Sequence, residues 1–180
     1  MPLSGSPVGG RPLTPLELEE AAATVEAWAA DLETPDSGAA ASGAGDSGAG
    51  EGVLAVDRDF SELASRRWFI RMAGEDKAVT TVWLTLRERT LHAETQFMPS
   101  PEENIEACYE YLLRSNAGLY GLAFSIGFED AIYLSGRVPA DSLTSSDLDR
   151  LVGGALSWTE EHFRTAMSIG FASRYRPRAG

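Results

Sequence analysis

The chain has little of what most chemistry needs. Cys108 is the only cysteine among 180 residues. A lone cysteine excludes an internal disulfide and a thiolate metal cluster. Histidines number two, His92 and His162. His92 and Glu94, two residues apart on a strand, make half a metal site, and a metal needs more ligands than that. No apolar run approaches the ~20 residues that span a bilayer. The opening residues MPLSGSPVGGRPL carry no apolar core of a secretory signal. These absences lead us to expect a cytoplasmic chain with no membrane contact.

Positive charge is also scarce. Fifteen bases face 27 acids, a net charge of −12. The imbalance is local. Residues 1–64 hold 12 acids against Arg11 and Arg58, a net of −10, while residues 65–180 hold 15 acids and 13 bases, a net of −2. No basic stripe marks a nucleic-acid surface, and the acidity disfavours anionic membranes. No G-x-x-x-x-G-K-[ST] or strand-to-helix G-x-G-x-x-G is present. No nucleophile elbow supports a Ser-His-acid triad. The expectation is a protein without catalytic residues, cofactor or metal. Cys108 sits on the apolar stripe of a helix and reads as a structural thiol.

What is present is patterned. Residues 1–13 are rich in Pro, Gly and Ser and read as disordered. A helix is expected over 14–32, with Thr14 as cap, Pro15 opening it and Glu17 completing a capping box. Trp28 anchors its apolar face. A flexible linker follows over 33–52. From Ser37 to Gly50 every residue but Asp46 is Gly, Ala or Ser. The compact domain is placed at 53–176, with a tail at 177–180. Residues 53–64 fit either a short strand or an irregular approach.

Three strands then alternate as a meander. Trp68, Ile70 and Met72 alternate with Arg67, Phe69 and Arg71. Val82, Leu84 and Leu86 alternate with Thr81, Trp83 and Thr85. Leu91, Ala93, Thr95 and Phe97 alternate with His92, Glu94 and Gln96. The next helix is expected to use Ser100 as cap, Pro101 as first residue and Glu103 as box partner. Its apolar stripe is Ile105, Cys108, Tyr109, Leu112 and Leu113. Two strands follow, Tyr120–Phe128 and Ile132–Val138. A last helix starts near Thr144, with Asp147 in the box position. Gly153-Gly154 within it costs about 1–2 kcal/mol of helix propensity. A kink or a close approach, within the domain or across a dimer, would account for the pair.

The segments RTLHAETQF, PEEN, YEYLLRSN, LYGLAFSIGFEDAIYLSGRVP, LDRLVGGAL and IGFASR, in this order from about Trp68 to Arg174, resemble the YbjN family in its actinobacterial form. That family is described as sensory transduction regulators and is similar in fold to type III secretion chaperones. The resemblance implies an α+β fold of helix, three strands, helix, two strands, helix, with a largely antiparallel five-stranded sheet packed by helices. It implies a non-enzymatic, chaperone-like regulator that binds a partner protein segment as a two-fold homodimer. It supplies no catalytic residue. Expected partner-binding residues are Trp68, Phe69, Trp83 and Thr85, on strands whose two faces are both partly apolar. Expected dimer residues are Tyr120, Tyr133, Gly153, Gly154 and Trp158. The alternatives are a small-molecule sensor with a pocket between sheet and helices, and an enzyme built on His92, Glu94 and a third titratable group.

Overall fold

Helix formation at the N-terminal side follows the expected chemistry. In the computed structural model, which describes residues 11–34, 52–61 and 65–176, α1 spans Pro15–Glu33. The Thr14 side chain accepts from the Glu17 N–H, and the Glu17 carboxylate accepts from the Thr14 N–H at 2.8 Å. Arg11 also pairs with Glu17. These bonds favour the ionised carboxylate and hold it at about 2. The expected disordered start, linker and tail lie outside the described residues apart from their margins.

The strands are β1 (Val53–Asp59), β2 (Arg66–Ala73), β3 (Val79–Leu86), β4 (Thr90–Met98), β5 (Ala123–Ile126) and β6 (Ile132–Pro139). Helix α2 spans Ile105–Ser115, and α3 spans Ser145–Gly170. The six strands form one sheet in the order β1-β2-β3-β4-β6-β5, with every neighbouring pair antiparallel. The architecture is α+β as expected, with six strands in place of five. The added strand is β1, in the stretch whose sequence leaves strand and irregular chain both open. Its alternation is weak because only Val56 is buried.

The core lies between the sheet and α3. Trp68, Ile70, Met72, Val82, Leu84, Leu86, Leu91, Ala93, Phe97 and Leu134 are each 1% exposed or less. From α3, Leu148, Leu151, Val152 and Ala155 fill the facing layer. Helix α1 closes one side of this layer. Its Trp28 donates from Nε1 to Asp149 of α3 at 2.8 Å, and its Glu26 accepts from Trp68 Nε1 at 2.7 Å. Arg58 of β1 reaches Glu26 and Glu33, while Arg66 reaches Glu19. The acidic first helix is thus docked on its own domain by charge and by two indole bonds. Helix α2 closes the other side. Tyr111 contacts His162 of α3 at 2.8 Å between Oη and Nδ1.

Two expectations about element ends fail for stated reasons. Ser100 does not cap α2. The N-cap is Asn104, in the left-handed region at φ 47°, with no side-chain cap bond. The N–H groups of Glu102 and Glu103 are already spent on the Gly170 carbonyl at 3.0 and 2.9 Å. The Glu103 carboxylate accepts from the Ser173 N–H, and Asn104 Nδ2 donates to the Ile169 carbonyl. The chain leading into α2 is tied to the end of α3, so tertiary bonds replace the local cap. At Gly170 a β-carbon would sit 2.8 Å from Pro101 Cβ, so only glycine allows that approach. The second difference is β5, four residues long instead of nine. Tyr120 is 74% exposed and Phe128 is fully exposed, so the alternation outruns the ladder at both ends. The expected α2 stripe is likewise partial. Cys108 and Leu112 are buried, whereas Ile105 and Leu113 are exposed.

Candidate partner-binding face

A strand points successive side chains to opposite faces. Among the described residues, α1, α2 and α3 all pack on the face of Trp68, Val82 and Leu134. The other face carries the alternate residues. Strand registers align them in rows. Asp57 lies opposite Phe69, Phe69 opposite Trp83, Trp83 opposite Glu94, Glu94 opposite Ser135, and Ser135 opposite Ala123. The neighbouring row runs Asp59, Arg67, Thr85, His92, Arg137. On the far side lie Arg71 with Thr81, and Gln96 with Tyr133 and Ser125.

This face is neither dry nor plainly polar. Phe69 and Trp83 are half-buried neighbours, and the Trp83 and Tyr133 rings stand 6.1 Å apart at 49°. Tyr133 is buried. Its ring rests against Gly127, where a β-carbon would come within 2.3 Å of Cε2. Its hydroxyl donates to Glu129, which with burial pushes it up to about 12. Half-buried aromatic rings on a sheet are suited to an apolar side chain of a partner.

Two groups beside the rings, His92 and Glu94, are held toward neutrality. Burial lowers His92 below its ordinary value, and Arg137 and Arg87 push the same way. Burial raises Glu94, with Glu129 adding to it and Arg137 opposing. His92 Nε2 and Glu94 Oε2 are 3.6 Å apart. Both groups move toward their neutral forms, so this contact is not a strong ion pair. Arg71 pairs with Asp57. A segment laid across the face would meet aromatic rings flanked by donors and acceptors of both signs. Among the described residues, no three of His, Cys, Asp and Glu converge as a metal set.

Of the expected binding residues, Phe69, Trp83 and Thr85 share this face. Trp68 does not. It is fully buried on the helix side, with its indole N–H held by Glu26, because strand alternation sends it opposite to Phe69. The expected dimer residues divide as well. Tyr133 belongs to the aromatic face and Tyr120 is exposed ahead of β5. Gly153, Gly154 and Trp158 lie on α3, where Trp158 stacks on His162 with centroids 6.5 Å apart. A β-carbon at Gly154 would make ordinary contacts with Trp158 and Leu122. These five residues form no single patch. His92, Glu94, Tyr133 and Arg137 also belong to the aromatic face; period-two alternation sorts each within its own strand, and only the cross-strand registers bring the four together.

A family model named YbjN, described as "Putative bacterial sensory transduction regulator", matches residues 54–166. The chain is 31% identical over 107 residues to "Uncharacterized protein ML2442" of Mycobacterium leprae, covering 59% of this chain and 58% of that protein. It is 30% identical over 104 residues to "Uncharacterized protein Mb0497" of Mycobacterium bovis and to "Uncharacterized protein Rv0487" of Mycobacterium tuberculosis, covering 58% of this chain and 57% of each. The match thus spans less than two thirds of the length of these curated relatives. Among the described residues no helix is long and apolar enough to cross a membrane.

Proposed function

This chain belongs to the YbjN family, and on that premise we propose that it is a non-enzymatic regulatory protein that holds a segment of a partner protein on the aromatic face of its sheet. One observation carries the reading. Among the described residues, α1, α2 and α3 pack on one side of the sheet, which leaves Phe69 and Trp83 half-exposed on the other. An extended segment crossing the strands would place an apolar side chain on those rings. Backbone amides of the segment would then find Thr81, Thr85, Glu94 and Ser135 within the same rows. Truncating a central aromatic at such a surface removes most of the binding.

The test is capture from native lysate with the tagged chain, beside a Phe69→Ala/Trp83→Ala variant whose fold is checked by circular dichroism. One protein at near-stoichiometric yield, lost with the variant, supports the reading. Retention of that protein by the folded variant refutes the assignment of the face. Absence of any protein above background refutes the function. Two-fold self-association belongs to the same proposal, and light scattering on the purified chain measures it.

A further inference from the structure

Lysine is nearly absent from this chain. Of its 15 basic residues 14 are arginine, and Lys77 is the only lysine. A guanidinium stays charged in proteins, whereas a lysine amine can lose its proton and take an acyl group. Cys108, the one thiol, is buried, and burial pushes it up. Acyl chemistry on a side-chain amine therefore comes down to one position.

The fold holds that position in place. Lys77 lies in the β2–β3 turn, which the Gly74 N–H closes by bonding the Ala78 carbonyl at 3.3 Å. Glu160 of α3 accepts from the N–H groups of Glu75, Asp76 and Lys77 at 2.9, 2.8 and 3.5 Å. Asp76 accepts from Nε of Arg164, also on α3, at 3.1 Å. From this turn the Lys77 side chain reaches β4. The β3–β4 ladder stops at Trp83 and Glu94, and the Gln96 carbonyl two residues beyond accepts from the Lys77 amine. Arg71 and Arg164 pair with carboxylates, whereas Lys77 bonds a neutral carbonyl. Of the acids at the turn, Glu160 is committed to backbone N–H groups and Asp76 to Arg164. Lys77 is half-buried, so part of its side chain still meets solvent. Burial pushes the amine down to about 8, with Glu160 opposing, which gives it a larger neutral fraction than an ordinary lysine has.

We propose that Lys77 is an acylation site, its amine taking a small acyl group from an activated donor, an acyl phosphate or an acyl thioester. The neutral nitrogen attacks the acyl carbon and an N–C bond forms. The C–O or C–S bond breaks, and its electron pair leaves with the phosphate or thiol, which takes the proton that the nitrogen gives up. The product suits the site better than the ammonium does. An amide nitrogen keeps one N–H for the Gln96 carbonyl and carries no charge for burial to penalise. The proposal uses neither Phe69 nor Trp83, so its outcome is separate from that of the proposed function.

The experiment uses the full chain carrying Arg176→Lys, which sets a reference amine on an exposed side chain. Parallel samples take acetyl phosphate or acetyl-coenzyme A at about pH 8, and peptide mass spectrometry gives the rate at each amine. Lys77 has about 100-fold more neutral amine there than an ordinary lysine, and its lower basicity gives back part of that advantage. Lys77 is therefore expected to react about ten-fold faster than the reference with at least one donor, and the faster donor identifies the source. A rate at Lys77 equal to or below the reference with both donors overturns the proposal. In guanidinium chloride the two amines are expected to react alike. A preference that survives unfolding also overturns the proposal, because it would come from neighbours in sequence and not from the fold.

Discussion

Trp68 and Phe69 are chain neighbours in different worlds. Trp68 has no exposed surface and its indole N–H is bonded to Glu26. Phe69 is half-exposed beside Trp83, on the side opposite α1, α2 and α3. The same contrast repeats at Thr80 and Thr81, at Leu84 and Thr85, and at Ala93 and Glu94. One face of the sheet gains its energy by removing apolar area from water. The other keeps aromatic rings partly wet among charges. Phe69 and Trp83 face each other across β2 and β3, a pairing that itself stabilises the sheet, and as half-exposed rings they are also the surface on which the proposed function depends.

The largest effect separating the two faces should come from the tryptophans. Trp68→Ala is expected to cost about 3–5 kcal/mol, from the lost burial and the cavity it leaves. Trp83→Ala should cost about 1 kcal/mol, because the side chain is only half-buried. Denaturant midpoints at constant slope measure both. Equal losses would mean that the aromatic face is core and would remove the basis for the proposed function.

Much of this contrast is legible in the amino-acid sequence. Period-two alternation sorts β2, β3 and β4 into faces, and it places Phe69, Trp83 and Thr85 together. The capping boxes at Thr14 and Thr144 are local chemistry and form as expected, the second between Thr144 and Asp147. What alternation does not say is which face the helices take. Both faces of β2 offer a large aromatic, so Trp68 can be grouped with Phe69. Local pattern misplaces the α2 cap because the Gly170 carbonyl, at the far end of α3, competes for its N–H groups. β1 is ambiguous because Arg58 sits where an apolar residue would mark the covered face. It is there to meet Glu26 and Glu33 of α1, and those carboxylates raise it above its ordinary value.

The covered side also draws in a charge, and pH should reveal it. The Glu160 carboxylate of α3 accepts from the N–H groups of Glu75 and Asp76 at 2.9 and 2.8 Å, which folds the β2–β3 turn onto the helix. Lys77 in that turn donates to the Gln96 carbonyl and is pushed down to about 8 by burial, with Glu160 opposing. An unfolded lysine titrates near 10.4. Between the two values the unfolded chain binds more protons, so stability rises with pH across that window. Below about pH 8 the cost of the buried ammonium is present in full. The rise should be about 2 kcal/mol, after reduction for the part of the amine that solvent still reaches. Chemical denaturation of the native chain and Lys77→Met at about pH 7.5 and 10.5, values chosen to bracket this window, isolates it. An equal response in both would show that the turn leaves Lys77 solvated.

The smallest effect is the sharpest test of the contrast, because each substitution only exchanges a hydroxyl for a methyl, at two positions on each face. Thr80 and Thr95 lie on the covered face, 0% and 1% exposed, and their hydroxyls are buried without a hydrogen-bond partner. A buried hydroxyl with no partner costs free energy, and valine has the same shape without it. Both residues favour strands, so backbone preference barely changes. Thr80→Val and Thr95→Val should therefore each stabilise the chain by about 1 kcal/mol. Thr81→Val and Thr85→Val, on the opposite face and half-exposed, should stay within about 0.5 kcal/mol of native. If the four substitutions gave the same shift, solvent would be reaching both faces alike, and the division of this sheet into a sealed side and an open side would fail at its simplest point.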